Sequence, residues 1–154
     1  MRSDAAANAL LLTVPAALLG GALAFQYLGG LAPCEMCHWQ RWALVATLGL
    51  GLAAAGLHQA RALLWLTILA LLADAGIAAF HAGVEQHWWQ GITRCAATPV
   101  AGDLGAMMAD ILSQPLVRCD AIAWSMLGIS MAGWNAIIAS ATGGLATWLM
   151  TRRP

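Results

Sequence analysis

Long apolar runs separated by short polar stretches dominate this chain. Four of them, approximately residues 8–28, 39–57, 62–82 and 124–150, meet the length that crosses a hydrocarbon layer. A bilayer core of about 30 Å takes roughly 20 residues at ~1.5 Å of rise each. Backbone groups in lipid must bond within their own segment, so each run predicts a helix, and the alternation of a β-barrel is absent. The pattern therefore predicts an all-α fold: an integral membrane four-helix bundle in a single domain, 1–154, with loops at approximately 29–38 and 83–123. In the longer loop, Leu104, Met107, Met108, Ile111 and Leu112 recur at spacings of three and four. Asp103 and Asp110 fall elsewhere on the wheel, which predicts a short amphipathic helix over 102–112, lying on the membrane or packed on the bundle top.

Arg2 precedes the first run, and the small residues at 21–24 faintly resemble a signal-peptide cleavage site. The apolar run is longer than the usual central region of such a peptide, so it is counted as a span, with a bend at Pro15 that membrane helices tolerate.

Composition agrees with this class: 61% of residues are hydrophobic, 9% are charged, and there is no Lys. Seven scattered arginines and a formal net charge of zero leave no basic patch for nucleic acid. Arg2, Arg61, Arg152 and Arg153 fall on one side of the spans. Glu35, Glu85, Arg94, Asp103, Asp110, Arg118 and Asp120 fall on the other. The positive-inside rule then predicts cytoplasmic termini and external cysteine-bearing loops. In a bacterial inner (plasma) membrane, that outside is the periplasm, where disulfides persist.

The chemistry concentrates in four cysteines arranged as two unlike pairs. Cys34 and Cys37 are tight, at the start of the second run; Cys95 and Cys119 are far apart in the long loop. Two structural disulfides would be one reading, but a Cys-x-x-Cys ring is a poor staple because it removes little chain entropy. A zinc site held by four thiolates usually needs two tight pairs, and only one is present. At a helix amino end, the free N–H groups and dipole favour a thiolate. Arg41, one turn beyond Cys37, adds a positive charge, while Glu35 opposes it. Arg94 and Arg118 adjoin the other two cysteines, which read as exposed, and thiol–disulfide exchange between the pairs needs reach and suitable potentials.

Asp74 lies midway along the third run. An ionisable group at that depth suggests function by default, although pairing with Ser130, Asn135 or a backbone group would also account for it. His81 ends the same run, whereas His38 and His87 show no metal-ligand spacing. Most tryptophans fall near span ends as interfacial anchors, while Trp65 and Trp134 are expected to pack inside. Gly20, Gly21, Gly49, Gly51, Gly143 and Gly144 are expected at close helix contacts.

The segment Pro33-Cys34-Glu35-Met36-Cys37-His38-Trp39-Gln40-Arg41-Trp42 resembles the Pro-Cys-x-x-Cys-x-x-x-Arg signature of the disulfide-bond formation protein B (DsbB) family. Phe80-His81-Ala82-Gly83-Val84-Glu85, and Cys119-Asp120 followed by Trp124, Leu127-Gly128 and Ser130-Met131, are similar to it in order and spacing. The resemblance implies a thiol:quinone oxidoreductase in which Cys34 and Cys37 pass electrons to ubiquinone or menaquinone. It also implies that Cys95 and Cys119 oxidise a periplasmic thioredoxin-fold partner of the DsbA type, with Cys95 forming the mixed disulfide. Cys37 would face the quinone, with Arg41 and His81 as quinone contacts. Glu35 and Met36 depart from the apolar residues often found between the tight cysteines, and the loop between Cys95 and Cys119 lacks a long insertion. A vitamin K epoxide reductase-like protein would reverse the order of the cysteine pairs. A non-enzymatic membrane scaffold with two structural disulfides is the other alternative.

Overall fold

The computed structural model describes residues 2–58, 60–92 and 117–152. Among them are four long helices: α1 (Arg2–Tyr27), α2 (Glu35–Gly56), α3 (Arg61–Glu85) and α4 (Met131–Thr151). Helix α2 packs on both α1 and α3, and α4 also packs on both, so each helix has two close neighbours. Cys95 and the amphipathic segment 102–112 lie outside the described residues.

The helix starts follow from local chemistry. Cys34 caps α2, its sulfur accepting a hydrogen bond from the Cys37 N–H at 3.3 Å. Ser130 caps α4, its hydroxyl accepting from the Gly133 N–H at 3.1 Å. Between Trp124 and that cap the fourth apolar run is not helical. Ser125–Met126 (β1) pairs antiparallel with Ile129–Ser130 (β2) through a two-residue turn, Leu127 and Gly128, both at positive φ. The ribbon is the one departure from an all-α fold among the described residues. Trp134 ties it to α4 by donating its indole N–H to the Met126 carbonyl at 3.2 Å.

Two helical segments, Ser3–Tyr27 and Arg61–Glu85, are long and apolar enough to cross a membrane. Helices α2 and α4 carry more polar and small residues, among them Gln40, Arg41, Asn135 and Thr142, and fall short of that apolarity. Large apolar side chains nevertheless point outward, including Leu52, Leu66, Leu69, Ile137 and Leu145, the reverse of a water-soluble surface. The core holds Leu11, Leu44, Leu64, Ile68, Leu71 and Met150 among alanines. Thr47, Thr67 and Thr142, all buried, turn their hydroxyls back to carbonyls four residues earlier, so these polar groups are satisfied inside the apolar core.

The glycine expectation holds at two of six positions. A methyl group at Gly51 would sit 2.9 Å from Leu12 Cδ2, and one at Gly143 would sit 2.7 Å from Leu72 Cδ2. Gly20, Gly21, Gly49 and Gly144 face open space, so they are not packing glycines. Trp65 also departs from expectation: it is 37% exposed, because its position on α3 turns outward.

The two ends of the helices differ in chemistry. At one end, Arg61 from the start of α3 bonds both Asp4 oxygens, at 2.8 and 3.0 Å, and the Met150 carbonyl at 2.8 Å. This joins the amino end, the α2–α3 link and the carboxyl end. At the opposite end a second buried cluster gathers Cys34, Met36, Val84 and Cys119, flanked by Cys37, Phe80 and Val117.

Candidate active site

Capping places both sulfurs of the tight pair on one turn of α2. Cys34 Sγ and Cys37 Sγ lie 2.9 Å apart as a hydrogen-bonded dithiol. Cys34 is buried and Cys37 is half-buried. The two thiols share one proton unequally. The Cys34 S–H donates to Cys37, and this, with a hydrogen bond from the Cys34 backbone and the Arg41 charge, brings Cys37 down to about 7 against the opposing effects of burial and Glu85. The same bond, together with burial, pushes Cys34 far up. Cys37 is therefore the thiolate of the pair, and Cys34 holds the proton.

Cys119 packs against this pair and is only 2% exposed. The expectation of an exposed cysteine is thus corrected for Cys119, because the chain after residue 117 folds over the mouth between α2 and α3. Its neighbour Arg118 is committed elsewhere: it forms a two-pronged ion pair with Asp120, at 2.8 and 2.6 Å, that holds the Asp120 carboxyl below its usual range.

His81, on α3, faces the dithiol from the other side. Its Nε2 lies 3.6 Å from Cys34 Sγ and 3.9 Å from Glu85 Oε1, while Gln40 meets its Nδ1 at 2.9 Å. Ligating atoms of Cys34, Cys37 and His81 all lie within 4.8 Å of one another, a trio able to hold a soft metal ion. Sequence spacing had joined no histidine to the cysteines; the packing of α3 on α2 does so. Arg41 Nη1 donates to Gln26 Oε1, and Nη2 donates to the Ala22 carbonyl at 3.1 Å, anchoring the guanidinium between α1 and α2. Glu35, the first residue of α2, is exposed.

Beside the dithiol a cavity of about 450 Å³ opens toward α1. Leu18, Phe25, Leu44 and Ile138 contribute apolar walls, and Cys37, Arg41 and His81 also line it. Phe25 meets Trp124 at 4.9 Å between ring centroids, and both line it. Gln40, Glu85 and Asn135 also reach the site, and the residue-by-residue reading had not singled out Gln40 or Glu85 for it. One signal was present: Gln40 stands three residues after Cys37, one helical turn along the same face, as a polar residue inside an apolar run.

The α3 exit packs beside the site, where Phe80 and Val84 join the cysteine cluster. Backbone bonds from Gln86, His87 and Trp88 to the last turn reverse the chain, with His87 at φ 57°. Trp89 thereby stacks on Phe80, 5.5 Å between centroids, and donates its indole N–H to the Phe80 carbonyl at 2.9 Å. Only a glycine at 83 leaves room: a methyl group there would lie 2.1 Å from Trp89 Cζ2.

Fold and site together define a helical membrane protein built around thiol–disulfide chemistry, with a polarised dithiol buried where the helices end. Residues 4–149 match the family model described as disulfide bond formation protein DsbB, and the chain belongs to that family, whose members are membrane oxidoreductases of disulfide formation. It is 32% identical over 150 residues to a disulfide bond formation protein B of Azoarcus sp. (strain BH72), covering 90% of this chain and 87% of the relative. It is 36% identical over 146 residues to one from Verminephrobacter eiseniae (strain EF01-2), covering 88% of this chain and 80% of that protein. No solved structure matches it.

Proposed function

We propose that the chain is a thiol:quinone oxidoreductase of the bacterial inner membrane, with cytoplasmic termini, that reoxidises a periplasmic thioredoxin-fold dithiol oxidase of the DsbA type. The observation that carries this reading is the thiolate-bearing Cys37 on the wall of an apolar cavity that also presents Arg41 and His81. Such a cavity suits a flat polar ring with a long apolar tail: few polar groups converge on one end, and the remaining walls are aliphatic or aromatic. Ubiquinone and menaquinone both have this form.

The residues divide the work as follows. The partner's dithiol attacks the Cys95–Cys119 disulfide, Cys95 takes the mixed disulfide, and the partner's second thiol then releases it, so the partner leaves as a disulfide and Cys95 and Cys119 remain as thiols. Cys119, buried against Cys34, is placed to exchange with the Cys34–Cys37 disulfide, and Cys37 is the better leaving sulfur because its thiolate is favoured. When the tight dithiol closes to a disulfide, it gives up two electrons and two protons. Arg41 and His81 would hold a quinone at the cavity wall, where it would supply the acceptor for these two electrons and two protons. Arg41 lends positive charge to the Cys37 thiolate and to the cavity wall, while His81 orients toward the Cys34 sulfur. The four helices would span the membrane, with the Asp4–Arg61 end inside and the dithiol end outside, in keeping with the placement of arginines.

The test uses purified protein in detergent, a reduced thioredoxin-fold partner and a short-chain ubiquinone, with quinone absorbance followed over time. Quinone loss that Cys37→Ser abolishes is expected. No loss, or loss indifferent to that substitution, would refute the assignment.

A further inference from the structure

Asp74 is fully buried on α3, two helical turns from His81, roughly 10 Å along the axis. Its Oδ1 accepts from Asn135 Nδ2 at 3.3 Å, and the same amide group donates to Gln40 Oε1 at 2.9 Å. Gln40 Nε2 then meets His81 Nδ1 at 2.9 Å, and His81 Nε2 faces Cys34 Sγ at 3.6 Å and Glu85 Oε1 at 3.9 Å. The chain thus runs through α3, α4 and α2, and all five residues from Asp74 to Cys34 are buried. Asp74 Oδ2 has no hydrogen-bond partner among the described residues.

The polarity of this chain is decided at its deep end. Charged, or protonated on Oδ2, Asp74 presents Oδ1 as an acceptor, so the Asn135 group facing it must be the NH2. That NH2 also faces Gln40, which must turn its oxygen inward and its own NH2 toward His81. Nδ1 is then the acceptor and the imidazole proton sits on Nε2, toward the Cys34 sulfur and the Glu85 carboxylate. The His81 ring also donates to the Cys119 backbone carbonyl; without a fixed acceptor at Asp74, the two amides could still rotate together and compete with that bond for the ring proton. They would then present an oxygen to Nδ1 and move the proton away from the dithiol.

We propose that Asp74 and Asn135 are positioning residues that fix the tautomer and orientation of His81 against the Cys34–Cys37 dithiol. This deepens the function proposed above and rests on it for its purpose: a donor on Nε2 meets the Cys34 sulfur whenever that sulfur carries negative charge as electrons enter or leave the pair.

The experiment labels the reduced full-length protein with 15N-histidine in detergent and reads imidazole tautomers from nitrogen–proton correlation spectra, with His81 identified by its absence in His81→Gln. The expected wild-type pattern has the proton on Nε2. The double substitution Asp74→Asn with Asn135→Asp keeps the composition but reverses the chain, and the single Nε2–H signature is expected to be lost. Gln40→Glu, nearly isosteric, sets a carboxylate against Nδ1 and is expected to place a proton there. A wild-type proton on Nδ1, or an unchanged signature in Gln40→Glu, overturns the proposal even where the double variant does not fold. Because the readout is independent of turnover, the expected tautomers in a protein that reduces no quinone would support the positioning role while removing the proposed function.

Discussion

Cys37 gives the sharpest quantitative expectation. An unperturbed thiol at 9.0 is about 1% thiolate at pH 7, whereas Cys37 at about 7 is roughly half ionised, an advantage of about fiftyfold. A less basic thiolate is also a weaker nucleophile, and two units at a Brønsted slope of about 0.45 cost roughly eightfold. Cys37 should therefore alkylate about six times faster than an ordinary cysteine of equal access at pH 7. The sign reverses in alkali: above about pH 9 both thiols are largely ionised and the ordinary one is faster by several-fold. The assay is iodoacetamide labelling of the reduced protein across pH 5–10 (about six points suffice), in a Cys95→Ser, Cys119→Ser background, with sites resolved by mass spectrometry. The Cys34 hydrogen bond is the largest cause lowering Cys37, and the Arg41 charge a lesser one, so Cys34→Ala should raise the midpoint more than Arg41→Ala. A midpoint near that of a free thiol, labelling first at Cys34, or the reverse order of the two variants would refute the reasoning.

Other expectations follow from single contacts. Gly83→Ala drives a methyl group into Trp89 and should lower stability by about 1–3 kcal/mol, the usual scale of overpacking, with a changed tryptophan fluorescence spectrum; an unchanged spectrum would show that the stack on Phe80 is not fixed by this glycine. Arg61→Ala removes the tie between Asp4 and the Met150 carbonyl. A melting temperature lowered in detergent, by an amount that shrinks when Asp4 is already Ala, is the expected double-mutant result. Trp124→Ala removes a cavity wall opposite Phe25, so the quinone Michaelis constant should rise several-fold in the coupled assay while Cys37 labelling keeps its pH midpoint. Equal loss at saturating quinone would place Trp124 in another role.

Several features were legible because they depend on one segment at a time. Helices at the first three apolar runs follow from length and from the need to satisfy backbone groups internally. A thiolate preference at the tight pair follows from the position of a Cys-x-x-Cys at a helix start, while the Cys34–Cys37 hydrogen bond decides which sulfur carries it. Pairing of Asp74 with Asn135 was among the expected partners because a buried carboxyl at that depth needs one. The fourth run was read less well: hydropathy does not distinguish a strand-turn-strand from the helix that follows it, and Gly128 was the one local sign of a turn.

Residue order by itself determined the membrane character, a reactive dithiol at a helix start and the division of the chain into a charged end and a cysteine end. Only the tertiary structure decided that Cys119 is buried against Cys34 and that His81, Gln40 and Asn135 form one chain ending at Asp74. The reason is physical: caps, hydropathy and helix periodicity act within a few residues. Burial and hydrogen-bond polarity in an apolar interior depend instead on which helix faces meet, across separations such as the 95 residues between Gln40 and Asn135.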